Sequence, residues 1–572
     1  MDFNGVYHRA NDNYCYALDE NKLIINIMTG YDVKEVNIYQ GDPFKSGILG
    51  GAEGWDGEKV NIAFKKRLKN QIWWTTTVEP EYKRLKYYFE LITDSEKWYY
   101  FEDGFLSEEQ MHLEGRSRQC FVMPWMNSSD IAVTPSWVND TVWYQIFPER
   151  FCNGNESLNP ENTLPWREEG KVKNSEFFGG DIPGIIQKLD YLQELGITGI
   201  YLTPINESPS SHKYDTTDYL KIDPHFGSEQ DFKELVDKAH EKGIRIMVDC
   251  VFNHSGRNFA PWLDVEEKGP ESKYYDWFFV NDDESYYTFS FEKEMPKLNT
   301  NNTEVTDYLC SICKEWLQKW DIDGIRFDVG NEISHSFVKR LHRELKQIKK
   351  DLFLLGEIWQ DSIMWLQGDE YDSVMNYPFM ESLNNFFVNK NLDAKEFMYL
   401  MNRCYSLYMA PVNRVLFNFL DSHDVGRVYS RCGNVDTFIQ QLVVLMTMPG
   451  TPCIYYGTEI AMEGICGPYN RKPMPWKEIE SGKYDEIMKC VQELIRTRHQ
   501  FKALKGNKIQ WNQTEGRLLN YIRPGELPIE IYINNDEQSV PLNLQEQEIV
   551  FAHKYEENTL LSGGALIIRR DL

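Results

Sequence analysis

The 572-residue chain has no uninterrupted apolar run long enough to span a bilayer. Its first residues, Met1-Asp-Phe-Asn-Gly-Val-Tyr-His8, hold neither a basic segment nor an apolar one. No membrane partner and no export signal are expected, and the expected location is the cytoplasm. Positive charge is scarce: 61 Lys+Arg face 88 Asp+Glu, a formal net charge of −27. Such a field repels a phosphate backbone, which excludes nucleic acid as a partner, while a neutral ligand is indifferent to it. Cysteine offers no disulfide framework, since the eleven are odd in number and irregularly spread, as reduced cytosolic thiols are. Cys310 and Cys313 form a CxxC without a second pair. Set in the apolar pattern Val305, Leu309, Ile312, Trp316, they read as helix packing rather than a metal or redox site.

Aromatic residues, by contrast, make up 14% of the chain, with 16 Trp and 33 Tyr, a supply suited to large cores or to surfaces that stack on sugar rings. The length suggests about three domains. Residues 1–128 show only short alternating stretches separated by Gly- and Asp-rich turns, which predicts an N-terminal β-sandwich. There Trp55, Trp73, Trp74, Trp98, Tyr99 and Tyr100 fit a sugar-binding face or a sandwich core equally well. Over 129–500 the grammar becomes apolar strand, polar loop, amphipathic helix, repeated. Candidate strands begin at Val142, Gly199, Ile244, Gly324, Phe353, Ser373, Val415 and Cys453, the eight needed for a closed parallel barrel. Ser228 with Asp231 marks a helix start and Gly243 its end. About fifty residues after the third strand, 255–302, are too many for a normal loop and predict a small inserted domain. From 501 to 572 alternating strands return, predicting a C-terminal β-sandwich. The expected fold class is α/β: a (β/α)8 TIM barrel with an insertion after strand 3, flanked by two β-sandwiches.

Active sites of such barrels sit at the C-terminal strand ends. Four of the predicted strands end in Asp249-Cys-Val-Phe-Asn-His254, Arg326-Phe-Asp328, Glu357-Ile-Trp359 and Asp421-Ser-His-Asp424. A lone Asp at a strand end is as often a capping or ion-pairing group, but four converging ends point to chemistry. Cleaving a glycosidic bond with retention needs an ionised carboxylate to attack the anomeric carbon and a protonated carboxyl about 5 Å away to protonate the departing oxygen. Asp328 suits the first task, because Arg326 lies two residues earlier on the same strand face and would keep it ionised. Glu357 suits the second, since a dry setting beside Trp359 would favour its protonated form.

In order and spacing these segments resemble the signature regions of the α-amylase superfamily, together with Gly199-Ile-Tyr-Leu-Thr-Pro204, His212-Lys-Tyr-Asp-Thr216 and Gly457-Thr-Glu-Ile-Ala-Met462. The resemblance covers nearly the whole chain. It implies Asp328 as nucleophile, Glu357 as acid/base and Asp424 as the carboxylate that binds and distorts the sugar. It also implies that Arg326, His254 and His423 hold the glucose at the cleavage point, with Tyr214 stacked beneath it. Met295-Pro-Lys-Leu-Asn299, Asn331-Glu332 and the β-rich N-terminal domain further resemble the neopullulanase, cyclomaltodextrinase and maltogenic amylase group. That resemblance implies hydrolysis of α-1,4 bonds in cyclodextrins, pullulan and maltooligosaccharides, transfer to sugar acceptors, and a homodimer that narrows the site. Glu332 and Trp359 would lie on the acceptor side. Gly330 and Gln360 depart from the residues common there, Ala and His, and bear on the balance of hydrolysis and transfer.

No cofactor is required by this chemistry. Relatives with calcium near the first strand use an Asn-Gly-Asp run and a later Gly-Gly-Asp; this chain has Asn153-Gly-Asn155, Asn159 and Gly179-Gly-Asp181. Amides in place of carboxylates weaken a calcium site, so only weak structural binding is expected. Two rivals are an α-1,6-specific oligosaccharide glucosidase, opposed by Met295-Pro-Lys-Leu-Asn299 and the long N-terminal domain, and a non-catalytic sugar-binding barrel, opposed by the presence of all three carboxylates.

Overall fold

The computed structural model describes residues 1–45, 55, 57–111, 119–167, 170–465, 467–542, 544 and 547–570. Two compact units emerge, one formed by 1–133 with 366–368 and 395–413, the other by the remainder.

In the first unit, two antiparallel sheets face each other. One has four strands, Cys15–Ala17, Leu23–Thr29, Ile72–Val78 and Phe64–Arg67. The other has six, with Leu85–Ile92 at its centre. Alternation puts Leu23, Ile25 and Ile27 of one sheet against Val36, Ile38, Tyr87 and Phe89 of the other, all fully buried. Trp55, Trp73, Trp74 and Tyr99 are buried as well, which decides for those four between core and sugar-binding face. The segment 395–413 docks on this unit through Asn402 Nδ2 to the Arg67 carbonyl, at 2.9 Å.

The second unit is built on eight parallel strands: β1 (Trp143–Ile146), β2 (Gly199–Leu202), β3 (Arg245–Cys250), β4 (Gly324–Phe327), β5 (Phe353–Gly356), β6 (Ser373–Val374), β7 (Phe417–Phe419) and β8 (Thr451–Tyr455). They run β6-β5-β4-β3-β2-β1-β8-β7, and a parallel bridge between Met375 and Phe417 joins the two ends into a barrel. Trp143, Tyr201, Met247, Phe353, Leu355 and Phe417 fill it. Each such buried side chain contributes about 1.5–3 kcal/mol. The helix Glu229–Glu241 starts with the Ser228/Asp231 capping box and buries Phe232, Leu235, Val236 and Ala239. It stops before Gly243, which turns the chain at φ +73°. Cys310 and Cys313 are buried on the helix Thr303–Trp320. Both carry free thiols, and Cys466 lies outside the described residues.

Between β3 and that helix, the insertion packs Trp262, from its helix Ala260–Lys268, against Phe278 and Tyr286. After the barrel, a six-stranded antiparallel sheet is organised by the long strand Thr559–Arg569. It bends at Gly563 (φ +78°), so that its start pairs with Val540–Pro541 and its end with Ile529–Asn534. Among the described residues no helix is long and apolar enough to cross a membrane.

Candidate active site

Strand register assembles the site. Asp249 on β3 is the register partner of Arg326 on β4, and paired residues of parallel strands present their side chains on one face. Arg326 is completely buried. Its Nη1 donates to both Asp249 oxygens, at 2.8 and 2.9 Å, and to Asp328 Oδ1 at 2.8 Å. Its Nη2 lies 2.8 Å from Glu357 Oε2, just beyond β5. One guanidinium thus ties together carboxylates from three neighbouring strands.

Around Glu357, the N–H of Val329 donates to Oε2 at 3.0 Å, while the Tyr377 hydroxyl and the Trp359 indole N–H each lie 3.3 Å from Oε1. Trp359 stacks on Tyr377 with centroids 3.9 Å apart and is 45% exposed. Val329 reaches Glu357 only by adopting φ +47°, a left-handed conformation that costs a β-branched residue about 1–2 kcal/mol. Next to it, a Cβ on Gly330 would come 3.1 Å from the Tyr371 hydroxyl and 3.2 Å from the Glu357 nitrogen. An alanine here would press on the backbone that carries Glu357.

Arg326 was expected to keep Asp328 ionised, but the structure divides its charge among three carboxylates. Burial pushes the Asp328 carboxyl well above the usual range, Arg326 pulls it down, and Glu357, Asp249 and Asp424 push it up again. Burial likewise raises Asp249, against the pull of Arg326. A cluster with more carboxylates than buried cations retains a proton at higher pH than an isolated carboxylate does.

On the far wall, Gln145 from β1 donates its Nε2 to His423 Nδ1 at 2.8 Å. The ring hydrogen therefore sits on Nε2, which is 2.6 Å from the Tyr214 hydroxyl and 3.2 Å from Asp424 Oδ2. Tyr214 in turn donates to Asp249 Oδ2 at 2.9 Å, and its ring lies nearly parallel to that of His423. His254 places Nε2 3.1 Å from the Tyr214 carbonyl and stacks on Phe289 of the insertion. Burial lowers both histidines, His254 to about 3, so both are neutral near pH 7. Asp424 is the open member, its side chain 31% exposed, with Arg471 at 3.6 Å. Glu332 is exposed and pairs with Lys297 of the insertion at 2.9 Å. Lys297 also donates to Asn253.

The structure thus gathers Asp328, Glu357, Asp424, Arg326, Tyr214, His254, His423 and Trp359 at one barrel mouth, with Glu332 at the end of Lys297. Sequence reasoning did not assign to it Gln145, Tyr377, Arg471 or Tyr201, whose hydroxyl donates to Asp249 Oδ2 at 2.8 Å. Gln145 and Tyr377 carried a signal, as a polar residue in an otherwise apolar strand and an aromatic at a strand end; Arg471 carried none.

The five residues considered for calcium sit apart from this cluster. Asp181 accepts N–H bonds from Gly154, Asn155 and Gly184 at 2.6–3.0 Å, and Asn155 Oδ1 caps Ser157. Asn153 Nδ2 donates to Asn159 Oδ1 at 3.1 Å, beside Gly179. With a single carboxylate already engaged by three amides, this set fits a calcium ion poorly. Among the described residues no group of three or more His, Cys, Asp or Glu is arranged to hold a metal ion.

A parallel barrel whose strand ends converge on carboxylates bridged by one buried arginine defines a glycoside hydrolase. The model "Alpha amylase, catalytic domain" matches residues 145–285 and 279–516, and "Alpha amylase, N-terminal ig-like domain" matches 1–127. A maltogenic α-amylase of Bacillus acidopullulyticus is 41% identical over 97% of this chain and 96% of its own. Neopullulanase 2 of Thermoactinomyces vulgaris is 38% identical over 95% and 93%. An intracellular maltogenic amylase of Bacillus subtilis is 38% identical over 94% and 91%. A solved cyclomaltodextrinase structure superposes with a TM-score of 0.89 at 35% identity, covering 100% of this chain and 98% of that one. The chain belongs to the α-amylase family.

Proposed function

We propose that the enzyme cleaves α-1,4 bonds of cyclodextrins, pullulan and maltooligosaccharides with retention, and transfers the glycosyl group to sugars as well as to water. The bridging of Asp328 and Glu357 by Arg326 carries this reading, because it places two carboxylates side by side on one cation. Asp328 Oδ1 is held by Arg326, which leaves Oδ2 to attack the anomeric carbon. Glu357, held on the same guanidinium, delivers the proton to the leaving oxygen. The neutral His254 and His423 hold sugar hydroxyls, Asp424 takes the secondary hydroxyls, Tyr214 lies beneath the ring, and Trp359 with Glu332 faces the acceptor.

Exposed Phe44, Phe64, Tyr82 and Trp125 of the N-terminal unit support a homodimer, in which a second copy narrows the cleft against long chains. The names of the relatives support the substrate class, and the intracellular one supports a cytoplasmic location. Initial rates on β-cyclodextrin and pullulan should exceed that on soluble starch; starch as the best substrate would refute the narrowed cleft.

Calcium is dispensable to the proposed reaction. Melting temperatures in 1 mM calcium and in EDTA should agree to within about 2 °C, as a millimolar site adds only a few tenths of a kcal/mol. A large stabilisation at micromolar calcium would contradict it.

A further inference from the structure

A cavity of about 550 Å³ opens where residues 152–166 pass the helix Trp476–Glu480. It shares no lining residue with the strand-end cluster, and its size falls in the range of small-ligand pockets, roughly 300–1,000 Å³. Two half-buried indoles, Trp166 and Trp476, line it. Trp166 is pinned by its N–H to the Met474 carbonyl at 2.8 Å, and Trp476 by its own to Phe151. Lys188 covers Trp476 at 4.1 Å and pairs with Glu480 at 3.1 Å, so its charge is already spent. The other lining side chains include three amides, Asn153, Asn159 and Gln187. Asn153 donates through Nδ2 to Asn159, yet its own Oδ1 is buried with no partner among the described residues.

Rigid indoles offer flat apolar faces, and amides both give and accept hydrogen bonds, a combination that suits a neutral polyhydroxylated ring with one C–H face. A cation would find no free carboxylate to neutralise it beyond Glu156, and of the two lysines that line the cavity Lys188 is already paired while Lys477 is exposed to water. We propose that this cavity is a second carbohydrate site, which holds a maltosyl unit of the α-glucan outside the catalytic cleft. Trp166 is the platform, and the amide of Gln187 meets the sugar hydroxyls at its edge. The proposal rests on the α-glucan reading above. A chain held at both places would meet the cleft at a raised effective concentration.

The test uses full-length Asp328→Asn protein labelled with 5-fluorotryptophan, the Trp166 resonance being the one lost in Trp166→Phe. That resonance should move saturably with maltotriose, with a midpoint on the order of millimolar. Gln187→Ala should raise the midpoint at least about threefold, while the same change in the active enzyme leaves kcat/KM on maltotriose within about twofold. The proposal is overturned if the resonance is unmoved at about 50 mM maltotriose, if Gln187→Ala leaves the midpoint unchanged, or if calcium moves it in place of sugar. Failure of wild-type enzyme to hydrolyse any α-glucan would instead overturn the functional reading.

Discussion

Arg326→Lys should lower kcat/KM by about 10³-fold and destabilise the fold by about 3–5 kcal/mol, because it leaves buried carboxylates without the guanidinium that bridges them. The guanidinium is completely buried and spends Nη1 on Asp249 and Asp328 and Nη2 on Glu357. A lysine keeps the charge, but its three N–H donors sit on one compact nitrogen, which cannot span carboxylates from three strands as the planar guanidinium does. Thermal melting and initial rates on β-cyclodextrin measure the two effects separately. A variant with native melting temperature and near-native rate would show that the bridge is neither structural nor functional.

Asp328→Asn should behave in the opposite way on stability. Activity should fall by about 10⁴-fold or more, since the amide cannot form the glycosyl ester. The melting temperature, however, should rise. The Asp328 carboxyl is raised in the folded state, above all by burial. A group that binds its proton more tightly when folded favours folding at low pH, and this contribution is lost as pH climbs from the ordinary carboxylate range through the raised value. The ionised form is therefore a burden at neutral pH that asparagine lacks. The variant's gain should be near zero at about pH 4 and grow toward pH 8. A loss of stability at neutral pH would mean that the Arg326 pair outweighs the crowding of like charges.

Much of this was legible in the chain because the barrel has a local grammar. Each strand is a short apolar run, each helix has a period of its own, and polar residues accumulate where strands end. That grammar placed Asp328, Glu357 and Asp424 together without any knowledge of distances. It could not show that Arg326 serves Asp249, 77 residues away, as well as Asp328, since this depends on the register between β3 and β4. Nor could it show Val329 in a left-handed turn, which a β-branched residue enters only when its surroundings impose it. The aromatic run of the N-terminal unit stayed undecided for a related reason. Indoles that face another sheet and indoles that face water alternate identically along a strand, and packing alone put Trp73 and Trp74 inside. Residues 395–413 pack with that unit despite lying more than two hundred residues further along.

In the proposed mechanism Asp328 attacks the anomeric carbon, and Glu357 first protonates the leaving oxygen and then activates water. Two displacements on one carbon preserve its configuration. The direct measurement is proton NMR of the anomeric region while fresh enzyme opens β-cyclodextrin, faster than the reducing end mutarotates. The new reducing end should appear first as the α anomer, the β signal growing in afterwards. A β anomer formed first would mean a single displacement by water, and would contradict the assignment of Asp328 as nucleophile.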